Sequence, residues 1–578
     1  MRTDQPRVAG TGSDLWWAVL ALTALGAGYA TLQLGAIMGT GEWLDVQAAL
    51  RGGWSWSGYD TIAAVLVALV VVALAVAGIY LTRRLRSRAS HVDGKAAAMG
   101  DPRGLSQASA KTKAEAGRMT ANGSPGLLYG RAVATGQDLY AGWRDGLLIE
   151  MGPGAGKTRG VAIPMIIDAP GVVVATSNKR DLGDAIKGVC SVRGVFWVFD
   201  PQSIAGYHGA ARPPFWWSPL GGVHGPVEAN ALAHLFADAS APAEASKHSY
   251  FDTAGPALLG NLLLAAAVGG YQIDQVYLWL ADPVEARLAA VPLLKTAGFP
   301  LPAAALTGAC NAAPDERSGL FGTAAAAVAF LTSPAILSWI TDTDGRPEFH
   351  PEAFVTSGRD TLLSLSREGA GTAGPVTTAL TAAVMAAAER EGQRHPHGRL
   401  PVPLVCVLDE VANVCRWRQL PDLYSFYGSA GITLVSIFQS WAQGVSAFKA
   451  HGMQQIWGAA TVRIIGAGLA DDQHLSSVSK LIDDQYVERR SRGTSTGKGT
   501  SRTVNVSFDK QAILSVGELA GLPAGRFVVI PSGQAPVLGA LIPWDKRPMA
   551  DDVHHSIATF EPGGHGGKAV DIAPGVSW

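Results

Sequence analysis

Gly146-Leu-Leu-Ile-Glu-Met-Gly-Pro-Gly-Ala-Gly-Lys-Thr158 is a short apolar run that stops at glycines and then presents a lysine and a hydroxyl. It reads as a β-strand feeding a phosphate-binding loop. Gly152, Gly154 and Gly156 let successive backbone N–H groups turn inward around phosphate oxygens, and Arg159 to Ile167 supplies the helix that must follow, with a kink expected at Pro164. The expected nucleotide contacts are Gly152, Pro153, Gly154, Ala155, Gly156, Lys157, Thr158 and Arg159. Lys157 would reach the β- and γ-phosphates of ATP, and the Thr158 hydroxyl would bind Mg2+. One position departs from the pattern G-x-x-x-x-G-K-[ST]: Met151 stands where the first glycine belongs.

Outward from the loop, short apolar strands alternate with helices. Gly171 to Thr176 and Val195 to Asp200 read as strands, with a helical stretch from Asp181 to Val189 between them. Strand signals return at Thr361–Leu365, Leu404–Leu408, Thr433–Phe438, Val462–Ile465 and Arg526–Ile530. Strands this uniformly apolar, separated by helices, indicate an α/β fold whose central sheet is mostly parallel and covered on both faces. Leu404-Val-Cys-Val-Leu-Asp-Glu410 ends a buried strand in two adjacent carboxylates. Asp409 is the expected holder of the Mg2+ shell, and Glu410 the group that accepts a proton from, or orients, an attacking water. Burying such a pair without counter-charge is costly, and Mg2+ supplies that charge. Gln439, closing the next strand, is placed to sense a γ-phosphate. The expected catalytic set is Lys157, Glu410 and Gln439; the metal set is Thr158 and Asp409.

Composition narrows the class. With 578 residues the chain exceeds one ordinary core, and 46 basic against 47 acidic residues give a net charge of -1. Any nucleic-acid contact therefore has to be local. Cys190, Cys310, Cys406 and Cys415 show no C-x-x-C spacing and read as buried thiols of a reducing compartment. Leu15 to Met38 and Thr61 to Leu81 carry no charge, and each has the roughly 20 residues needed to span a bilayer. Arg83, Arg84, Arg86 and Arg88 follow the second run, whereas the intervening loop has Arg51 against Glu42 and Asp45. The positive-inside rule places both termini in the cytoplasm, with Trp54, Trp56 and Tyr59 near the outer interface.

The expected organisation is a two-helix membrane anchor over 1–88, a cytoplasmic linker over 89–125, and a nucleotide-binding domain in two parts, 126–225 and 346–548. Ala/Leu-rich runs without strand signal mark an all-α insertion over 226–345, and 549–578 reads as a flexible polar tail. Glu488 to Arg502 is basic and Gly/Ser/Thr-rich and reads as a flexible loop, with phosphate contact as its functional alternative.

Taken in order, these features resemble the coupling-protein ATPases of type IV secretion and bacterial conjugation, the TraG/TraD type. The resemblance rests on Met151 to Thr158 with Val161-Ala-Ile-Pro164, Leu408-Asp-Glu-Val-Ala-Asn413, Phe438-Gln-Ser-Trp-Ala-Gln443 and Leu519-Ala-Gly-Leu-Pro523. It implies a RecA-like P-loop NTPase in the inner membrane, its soluble domain in the cytoplasm. It also implies a homo-hexamer whose all-α subdomain helps to recognise single-stranded DNA with bound relaxase, or a secreted protein, and which hands it to type IV secretion channel proteins. Members of that family often carry an arginine between the Asp-Glu and Gln strands; Tyr427-Gly-Ser-Ala-Gly431 has none, and Arg416, Arg418 and Arg463 are the available substitutes. Two rivals follow: a double-stranded DNA pump of the cell-division or segregation kind, for which no C-terminal helix-turn-helix is evident, and a substrate receptor with weakened catalysis.

Overall fold

The computed structural model describes residues 13–45, 55–86, 90–104, 124–207, 212–240, 250–343, 345–367, 373–497 and 499–562. Arg2, Arg7, Arg51, Trp54, Arg88, most of the expected linker and the tail beyond 562 lie outside them. The chain divides into two units, 1–91 and 92–578.

In the first unit each apolar run forms a helix, Ser13–Thr40 and Gly58–Arg86. They meet where Gly35 lacks a side chain: a Cβ there would sit 2.1 Å from Asp60 Oδ1. Asp60 caps its helix by accepting from Ser57 N at 2.7 Å and Ser57 Oγ at 2.6 Å. Side chains are described for residues 26–40 and 58–74 of these helices. Among the described residues no helix is long and apolar enough to cross a membrane.

The described residues of the second unit form thirteen strands: β1 (Leu127–Ala132), β2 (Asp138–Ala141), β3 (Leu147–Glu150), β4 (Val173–Ser177), β5 (Phe196–Phe199), β6 (Thr361–Leu365), β7 (Leu404–Leu408), β8 (Ile432–Phe438), β9 (Val462–Gly466), β10 (Asp484–Gly497), β11 (Gly499–Ala512), β12 (Arg526–Pro531) and β13 (Val537–Ala540). Eleven form one sheet in the order β2-β1-β13-β12-β9-β3-β8-β7-β4-β6-β5. From β9 to β5 every neighbouring pair is parallel; β12, β13, β1 and β2 extend the sheet antiparallel. This matches the mostly parallel sheet expected from the apolar runs.

The period-two alternation of a strand explains why those runs are continuous. Leu147, Ile149, Val173, Ala175, Val405 and Val407 enter the core on one face, while Leu148, Val174, Leu404 and Cys406 enter the core on the other. The second core continues into helices that fill the chain between β5 and β6, from Pro226–Ser240 through Tyr250–Gly269 to Pro334–Ile340. Phe236, Leu259, Trp279 and Phe330 join it without any strand.

Four expectations need correction. Residues 488–502 belong to an antiparallel ribbon, β10 with β11, paired from Asp484↔Ala512 to Gly497↔Gly499; the Val, Thr, Tyr and Phe content of 486–508 favours strand over loop. Beyond Met549 the chain forms the helix Ala550–Phe560, which buries Val553 and Ser556. Ser556 Oγ donates to Asp184 O at 2.6 Å and accepts from Gly188 N at 2.9 Å, fastening this polar helix to Asp181–Arg193. The linker's start is also fixed: residues His91–Ala98 form a 3₁₀ helix burying Val92 and Ala96. Finally, the irregularity expected at Pro164 comes before it. Thr158–Ala162 is a wide π-type turn in which Ile163 N donates to Thr158 O, and Ile163–Ile167 is regular.

Candidate nucleotide-binding site

All the predicted phosphate-site elements converge at the carboxyl ends of β3, β7 and β8, the edge where open parallel sheets bind ligands. Each loop glycine has its own reason. Gly154 and Gly156 have left-handed backbones, φ 72° and 94°. Gly152 is pressed against a second loop: a Cβ would lie 2.1 Å from Gly468 O, and Gly152 N donates to Ala467 O at 2.9 Å. Met151, the departure from the consensus, is buried and donates its N–H to Phe438 O at 3.0 Å. Its side chain occupies space vacated by Gly466, where a Cβ would meet Met151 Cγ at 2.4 Å. A glycine missing from the loop is thus matched by one on β9.

Lys157 is buried and its Nζ lies 3.1 Å from Glu410 Oε1. Gln439 Nε2 donates to the same oxygen at 2.6 Å. The three residues expected to act on phosphate and water are therefore in direct contact. Glu410 holds a left-handed backbone, φ 57°, unusual for a residue with a side chain and costing on the order of 1 kcal/mol or more. Its carbonyl repays part of this by accepting from Asn413 N at 2.8 Å and Val414 N at 3.0 Å.

Asp409 sits beside this cluster with Oδ1 buried and unpartnered among the described residues. Burial first, then the neighbouring Glu410 charge, push its carboxyl up to about 7, against the opposing pull of Lys157. Its backbone is fixed by Thr176 Oγ1, which donates to Asp409 O at 3.1 Å. A carboxylate destabilised in this way, at a strand end facing a phosphate loop, fits a divalent cation: the cation would supply the missing partner and the missing charge. Thr158, the other expected ligand, starts the π-type turn and is half-buried. Among the described residues no cluster of three His, Cys, Asp or Glu forms a metal cage, so Mg2+ would depend on phosphate oxygens for the rest of its shell.

Arg159 is not drawn into the cluster. It is exposed and grips Asp545, with Nε at 3.0 Å and Nη2 at 2.7 Å from the carboxylate oxygens. Of the three substitute arginines, Arg463 donates to Trp457 O at 2.5 Å and lies over the Trp457 ring, and Arg418 pairs with Asp238 at 2.5 Å. Arg416 donates Nε to Ala412 O at 3.1 Å.

Sequence reasoning missed several residues around this cluster. Gln443 Oε1 accepts from Gln439 N at 3.2 Å while Ser440 Oγ accepts from Gln443 N at 3.2 Å, so the Gln-Ser-x-x-Gln spacing fixes the turn that aims Gln439. Glu150, the last residue of β3, is fully buried next to His474; an acid ending an otherwise apolar strand was the available signal. A cavity of about 590 Å³ opens beside the loop, lined by Pro153, Gln439, Ser440, Gly468, Asp471 and Asp472 among others.

Comparison with known proteins agrees with this geometry. A family model described as the TraM recognition site of TraD and TraG matches residues 403–524, from the start of β7 past the ribbon. The conjugal transfer protein TraG of Rhizobium radiobacter is 28% identical over 159 residues, 27% of this chain and 24% of that protein. The match thus spans about a quarter of the relative. Among solved structures, the unbound monoclinic form of the bacterial conjugative coupling protein TrwBdeltaN70 superposes with a TM-score of 0.51 at 16% identity, covering 75% of this chain and 91% of that one. The plasmid coupling protein TrwB with the non-hydrolysable ATP analogue ADPNP gives 0.50 at 14% identity, covering 69% and 86%. These structural likenesses show a shared fold. Residues 403–524 thus carry TraG/TraD-type sequence, similar to that of conjugative coupling proteins, set in a fold shared with TrwB.

Proposed function

We propose that this chain is an ATP-hydrolysing coupling protein that recruits DNA with its bound protein and drives it into a type IV secretion channel. The observation that carries the reading is the convergence of Lys157, Glu410 and Gln439 beside the unpartnered Asp409 oxygen. ATP would supply the phosphoryl group and Mg2+ the charge that stabilises its transfer. The loop N–H groups from Gly152 to Thr158 would cradle the phosphates, with Thr158 and Asp409 holding the cation. Lys157 exchanges its Glu410 contact for phosphate oxygen. Glu410, released on that side but still held by Gln439, then accepts the proton of the attacking water.

Anchoring in the inner membrane with the large unit in the cytoplasm is part of the proposal. Exposed apolar side chains along Gly58–Arg86, among them Val65, Leu69, Val72 and Leu74, support it, since such a stripe needs a cover. Assembly as a homo-hexamer is proposed on the resemblance of the sequence alone. Single-stranded DNA with bound relaxase is the proposed cargo.

A second reading, a nucleotide-binding receptor with weak turnover, draws on the commitment of Arg418 and Arg463 within their own subunit. Met151 no longer favours it, because Gly466 makes the room. ATPase measurement on the purified chain, with and without single-stranded DNA, separates the two. Stimulated turnover is the expected result; tight ATP binding with no hydrolysis at any concentration would establish the receptor reading instead.

A further inference from the structure

Glu150 closes β3 one residue before the phosphate loop, and its side chain is fully buried. In the sheet it lies opposite Phe438 of β8 and Ile465 of β9, both apolar. A carboxyl group in such a place is retained against a desolvation cost, and the catalytic arrangement described above makes no use of it. Its basic neighbour is His474, whose Nε2 stands 3.0 Å from Glu150 Oε2. The approach is in ion-pair range but off the line of a hydrogen bond, and among the described residues neither Glu150 oxygen has another hydrogen-bond partner.

His474 belongs to the first turn of the helix Asp472–Ile482, its backbone N–H capped by Asp471 Oδ1 at 3.0 Å. Its ring lies flat on Trp441, with centroids 4.4 Å apart and planes 12° apart, and meets Trp457 edge-on at 5.3 Å. Trp441 is two residues from Gln439, which grips Glu410. These contacts close a ring. It runs from Glu150 along the loop to Lys157, across to Glu410, on to Gln439 and Trp441, through the stack to His474, and back to Glu150. The cavity beside Pro153 and Gln439 also touches Asp471 and Asp472, so the tip of the loop and the start of this helix share one space.

We infer that His474 is a positioning residue for the proposed ATP hydrolysis: by stacking on Trp441 and facing Glu150 it fixes the Gln439 turn against the base of the phosphate loop. The inference rests on the ATPase reading. It assigns His474 to turnover rather than to nucleotide affinity, because among the described residues its side chain meets Trp441, Trp457 and Glu150 rather than the loop donors that would cradle phosphate, whereas Gln439 and Glu410 would face the attacking water. Small misplacement of such groups is expensive in rate. The same ring makes the helix Asp472–Ile482 sense the loop. That helix runs into the ribbon, one residue separating Ile482 from Asp484.

The test uses the full chain and measures kcat and KM for Mg-ATP, Kd for a non-hydrolysable ATP analogue, and amide exchange over 472–482 with and without that analogue. His474→Ala is expected to lower kcat about 10- to 100-fold while Kd changes less than about twofold. His474→Gln, which keeps a flat donor over Trp441, should recover a large part of the rate. Glu150→Gln combined with His474→Ala should do no more damage than His474→Ala alone, as expected of residues acting through one contact. The analogue should slow exchange over 472–482 in the unsubstituted chain and lose that effect in His474→Ala. Unchanged kcat in His474→Ala overturns the inference. So does a rise in Kd together with a fall in kcat and thermal midpoint that His474→Gln fails to rescue, the mark of a packing role. If the unsubstituted chain binds the analogue without hydrolysing ATP, the ATPase reading fails by itself; the exchange measurement still decides whether His474 links loop and helix.

Discussion

The parallel and antiparallel halves of the sheet treat charge in opposite ways. At the carboxyl ends of β3 and β7 the carboxylates are buried and short of partners: Asp409 Oδ1, Glu410 Oε2 and both oxygens of Glu150 lack hydrogen bonds among the described residues. Around β12, β1 and the His91–Ala98 turn, carboxylates are matched one to one. Arg526 grips Asp93 with two bonds at 2.7 and 2.9 Å, Lys95 holds Glu518 at 2.6 Å, and Arg131 holds Asp138 at 2.7 Å. The acidities follow. Asp409 is pushed up to about 7, while Glu518 is held at about 2. Under-partnered charge in a buried place is tolerated where a ligand is to complete it; matched charge holds the chain in position.

The largest expected effect breaks the under-partnered half. Lys157→Ala removes the cation next to Glu410 and the direct phosphate contact at once, and ATP turnover should fall at least about 10³-fold, with weakened nucleotide binding. Turnover that survives in the purified variant would mean the charge at the end of β7 serves something else. Glu410→Gln comes next. The amide still fits between Lys157 and Gln439 but accepts no proton, so kcat should drop about 10²- to 10⁴-fold with ATP binding retained. A proportional loss of binding would move Glu410 from proton acceptor to phosphate or metal ligand.

The raised acidity of Asp409 gives a third test. Its folded-state value, about 7, lies above the ordinary 3.8, so the folded chain holds a proton there that the unfolded chain has released. Stability without ligand should therefore fall as pH rises from about 4 to about 7 and level off above. Asp409→Asn should raise the thermal midpoint of the ligand-free chain near pH 8 by a few degrees, about 1 °C for each kcal/mol relieved in a unit of this size, with the gain vanishing by pH 4. Mg2+ reverses the sign, because it favours the ionised form. Calorimetry of Mg-nucleotide binding at pH 6.5 in buffers of different ionisation enthalpy should register proton release. Binding with no proton release would show that the cation does not sit on Asp409.

The two halves also differ in how much could be read from sequence. β3, β4, β6, β7 and β8 are buried along their whole length, so each shows as a largely apolar run, and strand and site were legible together: Asp409, Glu410 and Gln439 stand at the ends of such runs, and Lys157 in the glycine loop that follows one. β1, β2 and β13 carry residues such as Gly130, Arg131, Asp138 and Gly539 among their apolar ones, and no run forms. The ribbon read as a flexible loop because its sequence is basic and Gly/Ser/Thr-rich, and the helix Ala550–Phe560 read as tail because it is polar and buries just Val553 and Ser556. Met151 looked like a defect because its compensation, Gly466, comes from a strand more than 300 residues later. Glu150 and His474 are separated just as widely; pairs made by topology leave no local pattern.

The smallest effect belongs to the matched half. Burial alone would raise the Glu518 carboxyl, but the bonds from Lys95 and from Ser515 N and Oγ outweigh it and hold it at about 2. A carboxyl depressed in the folded state contributes stability that is fully present above its ordinary value of 4.5 and is lost as pH falls toward 2. Lys95→Ala should therefore cost up to about 1 kcal/mol at pH 7 in low salt, the range of a partly exposed pair. The difference from the unsubstituted chain should shrink as pH drops below 4.5, and as salt rises. ATP turnover should stay within about twofold, since neither residue touches the loop or its carboxylates. A large loss of turnover in Lys95→Ala would end the division of labour between the halves, because it would make the turn that follows the two N-terminal helices part of the machinery at β7.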